Sequence, residues 1–329
     1  MRPALQAVAA RNAGPFTRQD ALRCGYTERE LKTLTGRSGR RAGDWVVLAR
    51  GVYADRVLFE SCDADGRYLL QVRARALTLR TSGVFSHASA AVLHTMPLRP
   101  RWQALVHVTR PDVHGGRSQG GVKHHRAMLG ERSVIDRGGL RFTDLARTGV
   151  DIAREHGFED GVVALDAALR MGAGEVQLQE SLEAMSSWAH VGDVRAAVEF
   201  ADAGAHNPGE SLMRVMLGEL GLGKIETQYL VTDGYRTAYA DARIGRHLFE
   251  FDGRVKYVER DLGGVAYRPP GEIVSEEKRR EDWLRRTQGG HGVSRVIWSE
   301  LFGAERRRTQ RRIVQEVQET VRRFGPAEG

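Results

Sequence analysis

The chain has 329 residues, with 50 Lys and Arg against 42 Asp and Glu, for a formal net charge of +8. That length exceeds one ordinary core, so two or three domains are expected, and the basic surplus favours a polyanionic partner. With only two cysteines, Cys24 and Cys62, and no apolar run of the ~18 residues a membrane span needs, a disulfide scaffold and a membrane protein are both excluded, and a soluble cytoplasmic protein is expected.

The N-terminal stretch 3–13 suits a helix. Thr17 with Asp20, and Thr27 with Glu30, have the three-residue spacing of helix-start capping boxes, and Gly25 separates the two helices they open. This is the helix, short turn, helix order that lets a third helix project into a major groove. After a loop from Gly36 to Gly43, WVVLARGVYAD at 45–55 reads as a β-hairpin, and residues 1–58 hold 11 Lys and Arg against 5 Asp and Glu, a surplus that attracts phosphate. Three helices and a hairpin are common, however, and arginine-rich loops are usually only solvated. The order GPFTRQDAL, CGYTERELKTL, WVVLARGVYAD, with FSHASAAVLHTMPL and LVHVTRP beyond it, resembles the winged-helix N-terminal domain of AbiEi-family antitoxins over roughly residues 1–150. The resemblance implies a DNA-binding head with Arg29 and Lys32 on the recognition helix and Arg37, Arg40 and Arg41 flanking the wing.

Residues 59–203 read as a mixed α/β and then helical region. Helices are expected at about 63–81 and 86–95, a strand at 103–111, and a partner strand at 122–128 across the loop HGGRSQGG. Four more helices follow at about 143–156, 158–171, 175–187 and 192–202. Residues 151–202 carry 11 acids against 3 arginines, which favours a solvated helical spacer over an acidic cover for a basic face. The histidines His87, His94, His107, His114, His124 and His125 lack the spacing of a metal motif on one element, and they are expected to pack or to touch phosphate. His124 and His125, adjacent on a strand, face opposite ways. Neither GVVALDAALRMGAG nor GGRSQGGV has the pattern of a nucleotide-binding loop, and nothing resembles a nucleophile elbow.

Asn207-Pro208-Gly209 breaks any preceding helix, and an apolar period through Leu212, Val215, Met216 and Leu220 predicts a new helix starting near Glu210. A short strand at 228–231 follows, and then the hairpin AYADARIGRHLFEFDGRVKY at 238–257. With a two-residue Gly245-Arg246 turn of type II′, Ile244 pairs with His247 and Asp241 lies opposite Glu250. Asp252 projects to the same side, while Phe249 and Phe251 project to the other. Three acids so crowded, with Glu210 in reach, call for a counter-cation, and a hard dication such as Mg²⁺ is the natural candidate. The plain alternative is a solvated acidic strand face partnered by Arg243, Arg246 and Arg254.

The elements NPGES, Gln228 before a strand, Asp241, EFDGRVKY, EEKRREDWLRR and GVSRVIWSEL together resemble the very-short-patch-repair-like endonucleases of the PD-(D/E)xK, restriction-endonuclease-like superfamily over about 205–303. The resemblance implies a nuclease core that uses Mg²⁺ or Mn²⁺, with Glu210, Asp241 and Glu250 as metal-binding acids. Asp252 stands where the superfamily has Lys, so the positive charge must come from Lys256 or from Lys278 on a helix beginning near Ser275, or else be missing. The last segment, 305–323, has 7 arginines and 3 glutamates with Ile313, Val317 and Val321 four apart, and predicts an amphipathic helix packed on that core.

The expected organisation is thus α/β (α+β): a winged helix-turn-helix at 1–58, a mixed middle at 59–203, a nuclease-like core at 204–303 and a basic helix and tail at 304–329. Two functions fit it. One is a DNA-binding, metal-dependent DNA endonuclease; the other is an antitoxin-like transcriptional regulator whose degenerate nuclease fold holds a cognate toxin or other protein partner.

Overall fold

The computed structural model describes residues 1–36, 42–79, 83–113, 116–185, 188, 191–253 and 279–326. It is an α/β protein, with three sheets among the described residues. By contacts the chain divides into two units, Met1–Glu155 with Ala173–Ala189, and His156–Gly172 with His190–Gly329. No described helix is long and apolar enough to cross a membrane.

The first unit opens with α1 (Pro3–Arg11), β1 (Phe16–Thr17), α2 (Arg18–Arg23), α3 (Glu28–Leu34), β2 (Trp45–Ala49) and β3 (Val52–Asp55). Both expected capping boxes form: Thr17 and Thr27 accept from the Asp20 and Glu30 amides, and those acids close back on the threonine amides. Phe16 belongs to a strand as well as a helix entrance, pairing with Tyr53 in a sheet of order β1-β3-β2. The core is aromatic: Trp45 meets Phe16 edge-on at 4.8 Å and Tyr26 at 5.0 Å, with Leu5, Ala21 and Leu31 packed around them. Edge-to-face rings fix the angle between helices and hairpin more tightly than aliphatic packing would.

The chain continues through α4 (Arg56–Ser61), α5 (Ala64–Ala76), β4 (Val84–Phe85), α6 (His87–His94), β5 (Val106–Arg110), β6 (Arg117–Gln119), β7 (Val122–Arg126), β8 (Val134–Arg137), β9 (Leu140–Thr143) and α7 (Leu145–His156). Its six strands form one sheet of order β6-β7-β5-β4-β9-β8, which is more sheet than the sequence reading expects. Strands β4, β8 and β9 are two to four residues long, too short for an alternating pattern to register. The expected partner of β5 is correct, and it runs parallel, Val106 beside Val122. Residues of the glycine-rich loop itself form β6, which takes the antiparallel edge of β7 and so turns the connection into a crossover.

The next helices are α8 (Phe158–Arg170), α9 (Glu175–Glu183) and α10 (Val191–Phe200). Three of the acids expected in a solvated spacer, Asp151 on α7 and Asp160 and Asp166 on α8, are instead buried, and α8 and α10 belong to the second unit while α9 belongs to the first. In that second unit follow α11 (Pro208–Leu220), β10 (Ile225–Thr232), β11 (Thr237–Ile244), β12 (His247–Asp252), helix α12 at 279–286, β13 (Gly292–Ile297) and α13 (Gly303–Phe324). The sheet order is β10-β11-β12-β13, antiparallel until the last pair, which is parallel. Strand β12 is therefore central and buried on both faces, so that even the side carrying Glu250 and Asp252 is shielded from solvent.

Two close approaches lock helices onto this sheet. A Cβ at Gly209 would lie 2.1 Å from the Phe251 ring, so only glycine lets the first turn of α11 press on β12. Deeper along α11, Arg214 Nη2 donates to both Asp166 oxygens at 2.7 and 2.9 Å, tying α11 to α8 through a fully buried pair. The last helix, α13, buries Thr309, Ile313, Val317 and Thr320. Val321 is 46% exposed, correcting the four-residue stripe, because a 3.6-residue turn brings position 320 rather than 321 back to the core. Thr320 Oγ1 meets His247 Nδ1 there at 2.7 Å.

Candidate functional site

The carboxylate hairpin forms as its turn chemistry predicts. Gly245 has φ +60° and Arg246 is not left-handed, which suits a type II′ turn and excludes type I′. The register runs from Ile244–His247 to Ala242–Phe249, one position short of Asp241 and Glu250, and there the Phe251 amide leaves the ladder to donate to Asp241 Oδ2 at 2.7 Å. On α11, Asn207 caps the helix by accepting from the Gly209 and Glu210 amides at 2.9 and 3.1 Å. That turn aims Glu210 back at its own entrance, where the His206 amide and the Asn207 side chain donate to it.

These acids are not a solvated face. Glu210, Glu250 and Asp252 are 8, 7 and 8% exposed. Burial, followed by the nearby charges of Glu210 and Glu250, pushes Asp241 up to about 7, against the pull of the Phe251 amide and Arg280. Burial likewise raises Glu210. The sequence-predicted acids Glu210, Asp241 and Glu250 are thus brought close enough to perturb one another, and Asp252 lies two residues along β12 from Glu250. Their oxygens do not close to within 4.8 Å of one another as a trio, a spacing that among the described residues only a histidine cluster reaches.

The cation beside them is one the sequence reading passes over. Arg280, on α12, donates to Glu250 Oε1 and, at 2.8 Å, to the Tyr239 carbonyl. Arg295, next to Glu250 in the β12–β13 register, approaches its other oxygen at 3.9 Å. Lys256 and Lys278, the two lysine candidates, lie outside the described residues. The signal for Arg280 was present in EEKRRED, two positions past Lys278, but a lysine-centred motif draws attention away from it. Gln228 was also missed as a site residue. It falls opposite Asp241 in the β10–β11 register, holds a left-handed φ of +47°, and has a buried Nε2 without a hydrogen-bond partner. Strain of that kind in a non-glycine strand residue gathers at functional positions.

On the N-terminal head, Arg29 and Lys32 are exposed on α3 while Leu31 is buried beneath them. The acids of the same helix are neutralised from outside it, Glu28 by Arg18 and Glu30 by Arg2. The outward face of α3 is left positive. Arg37, Arg40 and Arg41 lie outside the described residues. Arg306 and Arg312 of α13 are engaged in the protein's own ion pairs, Arg306 with Glu159 and Glu219, and Arg312 with Glu300 and Glu316.

The histidines need a correction of another kind. Packing is right for His94, whose Nε2 meets the Thr143 carbonyl at 2.8 Å, and His125 is buried where its neighbour His124 is not. What the spacing did not reveal is convergence: His87, His107 and His125, from three elements, bring ligand atoms within 4.8 Å of one another. His107 and His125 sit two register positions apart on paired strands, which only the β5–β7 pairing could show.

No family model matches the chain, and no curated protein matches it.

Proposed function

We propose that the chain is a DNA-binding protein that hydrolyses DNA phosphodiester bonds with Mg²⁺ or Mn²⁺, through a restriction-endonuclease-like core in its second unit and a winged-helix head at its N-terminus. The observation that carries this reading is the convergence of Glu210, Asp241 and Glu250 from α11, β11 and β12 in a largely buried place. Burial, reinforced by the charges of Glu210 and Glu250, raises Asp241, and carboxyls perturbed in this way gather at functional sites.

The donor set suits the ion. Carboxylate oxygens are hard ligands, and Mg²⁺ is usually held by one or two carboxylates together with waters and substrate phosphate, so a closed protein cage is not required. Asp241 and Glu250 would hold it, with Glu210 within electrostatic reach. When bound, such an ion polarises the phosphodiester and acidifies water for in-line attack. The chain's own groups do the rest. Asp241 takes its orientation from the Phe251 amide, Glu210 from His206 and Asn207, and Asp252 adds a further buried acid. Arg280 supplies a guanidinium beside Glu250, where the superfamily resemblance asks for lysine and where Lys256 and Lys278 were the expected donors. Arg29 and Lys32 offer α3 to DNA phosphate and bases, and unpaired Cys24 and Cys62 suit a reducing cytoplasm.

A second reading draws on the same arginine. With Arg280 already satisfying Glu250 and Asp252 in the lysine position, the core can serve as a scaffold for a cognate toxin or other protein, and the chain as an antitoxin-like transcriptional regulator. Incubating the full chain with single-stranded, nicked, mismatched and intact duplex DNA separates the two. Cleavage in Mg²⁺ or Mn²⁺, none in EDTA, and loss of cleavage with retained DNA binding in Asp241→Ala support the nuclease. No cleavage on any substrate, with full partner binding by the Asp241→Ala, Glu250→Ala double variant, supports the regulator.

A further inference from the structure

His87 opens α6 and lies over a pair of rings from neighbouring parallel strands, His107 on β5 and His125 on β7. All three are buried, at 1, 3 and 5% exposure. His107 Nδ1 and His125 Nε2 are 2.9 Å apart, and the His87 ring stacks 3.8 Å above His125. One such contact is ordinary packing, but three imidazoles in one dry place leave polar atoms unanswered. His87 Nε2 is buried with no hydrogen-bond partner, and so is Asp151 Oδ2 on α7, which lies 3.9 Å from His87 Nδ1. Each unanswered buried group costs about 1–3 kcal/mol. His87 also holds a left-handed φ of +53°, a further cost at a residue without glycine's freedom.

We propose that His87, His107 and His125 form a buried site for a transition-metal dication of the Zn²⁺ class, with Ser86 holding the His87 ring and Asp151 supplying a nearby negative charge. Imidazole nitrogen favours Zn²⁺ and its neighbours in the first transition row over Mg²⁺ or Ca²⁺, which take oxygen. Two nitrogens bound at ~2.0–2.1 Å to a tetrahedral ion lie ~3.3 Å apart, so the His107–His125 pair needs to open by only a few tenths of an ångström. The rings lie 13–28° from parallel, and loading turns them about their Cβ–Cγ bonds until their lone pairs share a centre. Ser86 Oγ, 2.9 Å from His87 Nδ1, engages that ring nitrogen and leaves Nε2 for the ion, while the Asp151 carboxylate stands close by as a negative charge. Arg147, whose Nε donates to Asp151 Oδ1 at 2.9 Å, holds that carboxylate in place. The ion would pin the start of α6 to the β5–β7 pair inside the first unit. This site is independent of the carboxylates of the second.

The test uses the full chain, stripped with EDTA, in two arms: Zn²⁺ or Co²⁺ added to folded protein, and the same ions present during refolding, since a buried site can load as it forms. The expected result is one ion per chain in at least one arm, a raised melting temperature, and a visible Co²⁺ spectrum of tetrahedral type without thiolate charge-transfer bands. The stoichiometry survives Asp241→Asn with Glu250→Gln. It is lost in His125→Ala. Should His125→Ala fail to fold, X-ray absorption at the zinc edge of the wild-type protein decides: an imidazole shell supports the site, and a sulfur or all-oxygen shell overturns it. No ion in either arm, or an ion retained by folded His125→Ala, also overturns it and leaves the cluster as neutral packing.

Discussion

Replacing Asp241 by Asn should make the metal-free protein more stable at neutral and alkaline pH, the opposite of the usual result for a buried polar substitution. The carboxyl is raised from its ordinary 3.8 to about 7, chiefly by burial and then by the charges of Glu210 and Glu250. A raised folded-state value means that the native protein binds the proton more tightly than the unfolded chain does. Its stabilising effect is complete below about 4 and is lost as pH climbs through 7. Three pH intervals at about 1.4 kcal/mol each give about 4 kcal/mol as the upper bound, and sharing of the proton among three coupled acids brings the expectation to about 2–4 kcal/mol. Asparagine keeps the acceptor for the Phe251 amide, so the substitution removes charge and little else. The assay is denaturant unfolding of both proteins in EDTA across pH 4 to 8. The advantage of Asp241→Asn should be small at pH 4, grow steadily to pH 7, and level off above it. Saturating Mn²⁺ should then narrow the gap by stabilising the wild type alone. An advantage that does not change with pH would refute the electrostatic account of the site.

Removing Arg280 as Arg280→Ala frees Glu250 of its charge-assisted partner and should tighten Mn²⁺ binding by about fivefold, near 1 kcal/mol, read by titration calorimetry. Arg214→Ala leaves Asp166 buried without its bidentate partner and should cost about 3–5 kcal/mol in chemical denaturation, while Arg214→Ala with Asp166→Ala recovers part of that loss. Gly209→Ala drives a methyl into the Phe251 ring and should lower stability by about 1–3 kcal/mol in the same measurement. Arg29→Ala and Lys32→Ala should each weaken DNA binding and, where the lost contact is to phosphate, flatten its dependence on salt by about one counterion, measured by fluorescence anisotropy over a salt series.

Local chemistry made some of this structure readable in advance. Gly245 fixed the hairpin register, Asn207-Pro208-Gly209 fixed the start of α11, and the Thr-to-acid spacings fixed two helix starts, because each is decided by atoms within four residues of one another. The carboxylate convergence was legible for the same reason, since Asp241 and Glu250 share one tight turn. What stayed hidden depends on distant parts of the chain. Arg280 reaches Glu250 from a helix 30 residues further on. The histidine cluster needs two strands to pair in parallel before its members meet, and parallel pairing leaves no turn signature in sequence. The acids of α8 looked like solvated charge because nothing near Asp166 announces that Arg214 will bury it.

That buried pair also sets a timetable for synthesis. Asp166 and Arg214 are 48 residues apart, so at ~5–20 residues per second the ribosome emits the carboxylate ~2–10 s before its guanidinium. During that interval the apolar side of α8 has emerged without the helix that will cover it, and a nascent chain that stalls near residue 203 would present that side to chaperones. The second unit can therefore close only late in translation, and amino-terminal fragments that include α8 should be sticky even though the aromatic head has all its residues.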